Sequence, residues 1–566
     1  VKRIANMSRP FAENHSRARR VHTLAACALA FACVEPFFAA STVAADARPL
    51  REVIDASVQA AWKKEKLEPA PRADDATFLR RVHLDLAGTI PTHDEARQFL
   101  DDTDPAKRAK LIDRLLADPR FAQQQATLWD LIFFGRSPAN PDATRKRDGF
   151  RQWLTAKFAA NAPFDKWVRE LLLADEDGSE LFYVQFQNRP EDLTEAFSRI
   201  FLGTQLQCAR CHDHPNTDLK QKDFYGMAGF FVRLVVLDQG SEGKTDKQAR
   251  RYRIGEKATG EVLFSGNAKD QKPGKKGDPV KPKFLGGDPL DEPAPPKDYK
   301  DPEIKTGMKS LPKPPFSRKE KLADWATAPG NPFFARATVN RVWGQLMGRG
   351  IVHPVDNLGE DNPPALPELL DSLTQQFVAH QFDYKWLVRE ITGSATYQLA
   401  SAGASRDALP KHFDRARIRP MSAEEIMATL RVASGHDPVK NGGDGATSDY
   451  FLRYFGEPTN GQGDFQGSLS EHLFLNNSSN VRAFLSRKKG NLADTILTSS
   501  EPWEKRVDRM FLSVLTRMPT DSERKKFVEY LSRDTKADSK SETKADSLVE
   551  EALWVLVNLS EFRFNH

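Results

Sequence analysis

The chain has 566 residues, more than a single hydrophobic core usually organises, so two or three domains are expected. Its 83 basic and 78 acidic residues leave a net charge of only +5, which argues against the concentrated basic field that nucleic-acid binding requires. Four cysteines fall in two close pairs, Cys27 with Cys33 and Cys208 with Cys211, and supply no disulfide framework for a chain of this length.

The first 45 residues read as a signal peptide. Lys2, Arg3, Arg9, Arg17, Arg19 and Arg20 precede an apolar run over residues 21–34, and the small residues Ala39, Ala40, Val43, Ala44 and Ala45 follow. Cleavage near Ala45 is expected, giving an exported protein of the periplasm or cell surface. The apolar run is short for a membrane span, so membrane contact is expected only through an uncleaved N-terminus or one lipidated at Cys27. Removal of this segment leaves Cys208 and Cys211 as the only thiols, placed for local chemistry.

Residues 46–236 have helical spacing. Asp75 opens a helix with Phe78, Leu79, Val82 and Leu86 on one face, and Gly88 ends it. Thr92 and Glu95 form a capping-box pattern, and Asp104-Pro105 is expected to start a helix carrying Leu111, Ile112, Leu115 and Leu116. Trp129, Phe133, Phe134, Trp153 and Trp167 are core candidates. Residues 237–317 turn rich in Gly, Pro, Lys and Asp, which predicts a loop-rich insertion or linker, with β-like pieces such as Glu261-Val262-Leu263-Phe264. Helical periodicity returns over 318–566 through Trp325, Phe333, Val339, Val342 and Trp343, then Leu369, Leu370, Leu373 and Phe377. The expected fold is mainly α, with two helical domains joined by an irregular, partly β insertion.

The clearest chemical signature is Cys208-Ala209-Arg210-Cys211-His212. In a chain with four cysteines and twelve histidines, chance produces this spacing on the order of 6 times in 10,000 chains. Two thiols on one turn can add to the vinyl groups of haem, and the adjacent histidine can turn back as the proximal ligand of the iron. Cys208, Cys211 and His212 are therefore the expected binding residues for haem c. Two other readings use the same residues. Zinc would take Cys208, Cys211 and one or two of His212, His214 and a remote histidine such as His353, with Asp213 as a base or supporting group in a metal-dependent enzyme acting on extracellular polymers. A local Cys208–Cys211 disulfide would be redox-active. A third class of function is a structural surface protein in which the motif only ties a loop. For haem, the sixth ligand has four candidates in Met227, Met308, Met347 and His353.

Gln207-Cys208-Ala209-Arg210-Cys211-His212-Asp213-His214-Pro215, followed by Asp223-Phe224-Tyr225-Gly226 and Phe230-Phe231, resembles the signature of planctomycete cytochrome-c-like proteins, in which one domain of unknown function precedes a second. The second half carries the resemblance too: Asn331-Pro332-Phe333-Phe334-Ala335-Arg336, Val339-Asn340-Arg341-Val342-Trp343, Gly348-Arg349-Gly350-Ile351-Val352, Pro354-Val355-Asp356, and the terminal Leu553-Trp554 through Asn565-His566. It implies export, a cytochrome-like role in electron transfer, and as partner a redox protein or extracellular substrate; it implies no established reaction. Many relatives carry a separate cytochrome c domain ahead of these two, and none is expected between Ala45 and Arg51, so haem would sit at Cys208 to His212. Where relatives usually read His-Pro-Glu-Leu-Leu, this chain has Leu366-Pro367-Glu368-Leu369-Leu370 and so lacks a ligand or acid-base group at that position.

Overall fold

The computed structural model describes residues 48–136, 147–187, 189–215, 217–241, 250–264, 275–305, 307–435, 469–534 and 541–566. The expected signal peptide, with Cys27 and Cys33, lies outside the described residues.

Local signals in the sequence set most of the helix ends in the first segment. α1 (Leu50–Glu65) buries Leu50, Val53, Ile54, Val58 and Trp62. α2 (Asp75–Ala87) starts where the Asp74 carboxylate accepts from the Thr77 N–H, and it stops at Gly88, whose φ of 67° favours a residue without Cβ. α3 (His93–Asp101) opens with the complete Thr92–Glu95 capping box. α4 (Lys107–Ala117) begins beyond the Asp104-Pro105 pair expected to start it. The Asp104 carboxylate accepts from the Ala106 N–H at 2.7 Å and closes a turn ahead of the helix instead. α5 (Pro119–Phe134), α6 (Arg147–Ala159), α7 (Phe164–Leu173), the short α8 (Leu181–Val184) and α9 (Pro190–Phe197) follow. The five aromatic core candidates are all buried. Among them, Trp129 lies 5.1 Å from the Phe164 ring and 5.9 Å from the Trp167 ring, edge to face with the latter.

α10 (Gln221–Ala228) leads into the insertion. There β1 (Leu234–Ser241) pairs antiparallel with β2 (Arg250–Glu256), and β3 (Val262–Phe264) with β4 (Asp278–Val280). The second helical segment contains α11 (Arg318–Ala326), α12 (Phe334–Met347), α13 (Pro367–Ala379) and α14 (Tyr384–Gly393), then β5 (Arg419–Pro420) and α15 (Ala423–Ser434). It ends with α16 (Leu469–Asn477), α17 (Ser479–Leu485), α18 (Leu492–Thr498), α19 (Trp503–Leu515), α20 (Asp521–Leu531), α21 (Ser541–Asn558), α22 (Ser560–Arg563) and β6 (Phe564–Asn565). The fold is mainly α with a partly β insertion.

Apolar burial crosses the insertion rather than stopping at it. One core mixes α1–α10 with α11–α14, takes in Tyr252, Val262, Val280 and Leu285 from the insertion, and reaches Leu512 on α19. A second core is built from α15–α22 and receives Leu84 and Ile90 from the N-terminal segment. Residues 46–566 form a single compact unit. The insertion is polar on average, yet each short strand pair turns a few apolar side chains inward, and composition alone does not report that.

A buried polar joint ties the two cores. The Asp85 carboxylate, on α2, accepts from Tyr397 Oη at 2.6 Å, from the Arg419 guanidinium at 2.8 Å and from Asn565 Nδ2 at 2.8 Å. Beside it the Arg80 guanidinium, fully buried, donates to the carbonyl oxygens of Val514, Glu561 and Phe562. β5 and β6 pair alongside, Arg419 opposite Asn565. Burial pushes the Asp85 carboxyl up, and Arg419 and the Tyr397 hydroxyl oppose that shift. Removing one partner from such a buried set strands the others, so Asp85→Ala is expected to destabilise the protein by about 3–5 kcal/mol. Urea denaturation measures this, and a loss under about 1 kcal/mol would show that the joint is not structural.

Between Arg80 and Asp85 on α2, His83 is fully buried, and its Nδ1 lies 3.0 Å from the Leu79 carbonyl oxygen. Burial pushes its pKa down to about 4. Above about pH 6.5 the imidazole is neutral in both states and its contribution is complete. Between that pH and about 4 the unfolded chain takes up a proton that the folded chain does not, so stability falls as pH falls. His83→Gln is expected to flatten the dependence over this window, by on the order of 3 kcal/mol across it. Denaturation midpoints compared at the two ends of the window test this, and parallel curves for variant and wild type would refute it.

Candidate functional site

The motif sits on a turn between two helices. α9 begins with Pro190 at its first position and runs into a π-helical turn, Ser198–Leu202, which Gly203 closes with a φ of 60°. The helix thus ends short of Cys208. A separate 3-10 turn, Gln207–Arg210, carries the first half of the motif, and Cys211 caps it with its N–H donating to the Cys208 carbonyl at 3.3 Å. Leu206 and Ala209 point inward and are buried, whereas Cys208, Cys211, His212 and Asp213 are exposed. Both thiols are free.

Four side chains other than the cysteines and His212 hold this turn. Arg210 reaches back to α9, 2.8 Å from Asp192 Oδ1 and 3.1 Å from Glu195 Oε1. Burial works against its charge, but the two carboxylates outweigh it and raise its pKa. From α10, Tyr225 Oη donates to the Arg210 carbonyl oxygen at 3.0 Å and Gln221 Nε2 donates to the same oxygen at 3.1 Å. Burial raises the pKa of the Tyr225 phenol, which keeps it a neutral donor. The Asp213 carboxylate accepts from the Gln221 N–H at 2.9 Å, at the start of α10, so it serves the turn as a cap.

The His212 ring is oriented by its own neighbour. Nδ1 donates to the Asp213 carbonyl oxygen at 2.7 Å, which in the neutral imidazole leaves the lone pair on Nε2. An outward-facing imidazole with Nδ1 engaged by a backbone carbonyl is the arrangement that suits ligation through Nε2. His214 donates its backbone N–H to the Leu219 carbonyl at 2.9 Å and is half-buried. Among the described residues no three His, Cys, Asp or Glu side chains converge to hold a metal ion, so Cys208, Cys211, His212 and His214 are near in sequence but not gathered as a tetrahedral zinc set is. Haem attachment would ask for no such convergence, because each thiol would join a separate vinyl group and only the imidazole would serve as a ligand.

The sixth-ligand candidates scatter. Met227 is fully buried on α10 and Met347 is buried at the end of α12. Met308 lies in the insertion, where its Sδ accepts from the Lys305 N–H at 3.2 Å. His353 stands on the loop after α12, whose Leu358 N–H donates to the Gly203 carbonyl at 2.8 Å. Of the supporting residues, Arg210 lies inside the motif and Tyr225 inside the Asp223–Gly226 stretch that carried the resemblance. Gln221 left no signal in the sequence, because an amide at the start of a helix is unremarkable until its partner is known.

Two family models match the chain. PSCyt2, a protein of unknown function (DUF1549), covers residues 53–235, and PSD1, a protein of unknown function (DUF1553), covers residues 318–451. No curated protein and no solved structure matches. The first model spans α1 through α10 with the motif turn, and the second begins at α11. The chain therefore pairs an N-terminal DUF1549 domain with a DUF1553 domain that follows it.

Proposed function

We propose that this is an exported haem c protein, with Cys208 and Cys211 as thioether anchors and His212 as proximal ligand, acting in electron transfer. The observation that carries the reading is the turn itself: two free, exposed thiols three residues apart, Cys208 within a 3-10 turn and Cys211 as the residue that caps it, beside an imidazole whose Nδ1 is held by a backbone carbonyl. Haem, when bound, supplies a one-electron iron couple. The chain's own residues have narrower tasks. Arg210, Gln221 and Tyr225 hold the backbone of the turn, and Asp213 orients the His212 ring through its carbonyl.

Export is part of the proposal and rests on the basic and apolar pattern of residues 1–45. Among the described residues no helix is long and apolar enough to cross a membrane. The partner that suits a surface-displayed redox group is another redox protein, since electron transfer needs approach rather than a closed substrate pocket.

The test is expression with export in a host that has a cytochrome c maturation system. The protein is expected to be coloured, and its haem is expected to survive denaturing electrophoresis and organic extraction. Changing both Cys208 and Cys211 to Ser should release all of it. A colourless chain holding stoichiometric zinc would transfer the site to metal chemistry, and a colourless chain with neither would leave a dithiol and end the haem reading.

A further inference from the structure

The loop that follows α12 belongs to the second domain, yet it grips the motif turn of the first. Asp356 is fully buried. Its Oδ1 accepts from Gln205 Nε2 at 3.1 Å, and its Oδ2 lies 3.6 Å from the Arg199 guanidinium. Gln205 immediately precedes the Leu206–Cys208 stretch. The Leu358 N–H donates to the Gly203 carbonyl at 2.8 Å, and a Cβ on Gly203 would lie only 2.2 Å from Leu358 Cδ1. Residues 356–358 thus hold the chain that leads directly into Cys208–His212.

This loop is itself built rigidly. The Asn340 side chain, fully buried on α12, donates from Nδ2 to the carbonyls of Val352 and Val355 and accepts at Oδ1 from the Val352 N–H. Next to it, Arg341 donates to the Arg199 carbonyl at 3.1 Å. At Gly350 a Cβ would lie 2.2 Å from the Val352 carbonyl oxygen, so only glycine allows the chain to turn this tightly. Asn340, Arg341, Gly350 and Asp356 are all among the residues that carried the family resemblance. Their contacts give them one common task.

We propose that residues 356–358 of the second domain clamp the lead-in to the cofactor turn, with Asp356 as its positioning residue acting through Gln205. This deepens the reading of Cys208–His212 as a cofactor site and rests on it. The carboxylate touches neither a thiol nor the imidazole; it fixes the backbone from which they project.

The test reads the thiols of the full-length chain made without haem maturation and kept reduced, so it is independent of whether haem attaches. Iodoacetamide alkylation at about pH 8, followed residue by residue by mass spectrometry, gives the ratio of Cys208 to Cys211 reactivity. Asp356→Ala is expected to change that ratio at least about threefold, while Asp356→Asn, whose amide oxygen still accepts from Gln205, restores it. Gln205→Ala removes the same hydrogen bond without stranding Arg199 and is expected to give the same change, which keeps the test open if Asp356→Ala does not fold. An unchanged ratio in folded Gln205→Ala, or in folded Asp356→Ala, overturns the clamp. A wild-type chain that never takes up haem would instead count against the proposed function alone.

Discussion

Asp85 imposes the constraint on which the rest of the architecture depends. A carboxylate taken out of water is costly unless several donors meet it, and its donors here come from Tyr397, Arg419 and Asn565, each more than 300 positions away in sequence. α2 can therefore bury its polar face only when the end of the second segment is in place. Arg80 repeats the pattern on the same helix, donating to carbonyls at Val514, Glu561 and Phe562. The apolar cores follow this lead: Leu84 and Ile90 enter the second core from the first segment. Two family domains separated by the insertion in sequence are by this means one compact unit.

The same interdependence reaches the motif turn by a separate route. Arg210 ties it to α9, Tyr225 and Gln221 tie it to α10, and the Asp356 loop ties it to the second domain. All of these contacts lie on the inward side. What remains outside is a pair of thiols and an imidazole on a backbone with little freedom. Rigid backing with open display is the combination expected of a group that must be reached, first for covalent attachment and then by a redox partner.

Much of this was legible in the chain alone, wherever the cause was local. Gly88 stops α2, Thr92 and Glu95 start α3, and Trp129, Phe133, Phe134, Trp153 and Trp167 are buried, because capping and apolar periodicity act within a few residues. The short strand at Val262–Phe264 was visible in the same way. The Cys208–His212 spacing, too, is a property of five consecutive residues. The start of α4 was misplaced because Asp104 is an equally good residue for closing a turn and for capping a helix, and only the folded geometry chose between them.

By itself, then, the sequence determined the helical character, the polar insertion and the motif, since each depends on neighbours in the chain. Tertiary structure alone decided that Tyr252, Val262, Val280 and Leu285 join a core shared by both helical segments. It also decided that Asp85 meets Arg419 and Asn565, and that Asp356 stands behind Gln205. A buried carboxylate takes its partners from whatever the packing of distant helices brings within about 3 Å, and no local pattern of residues records which ones those will be.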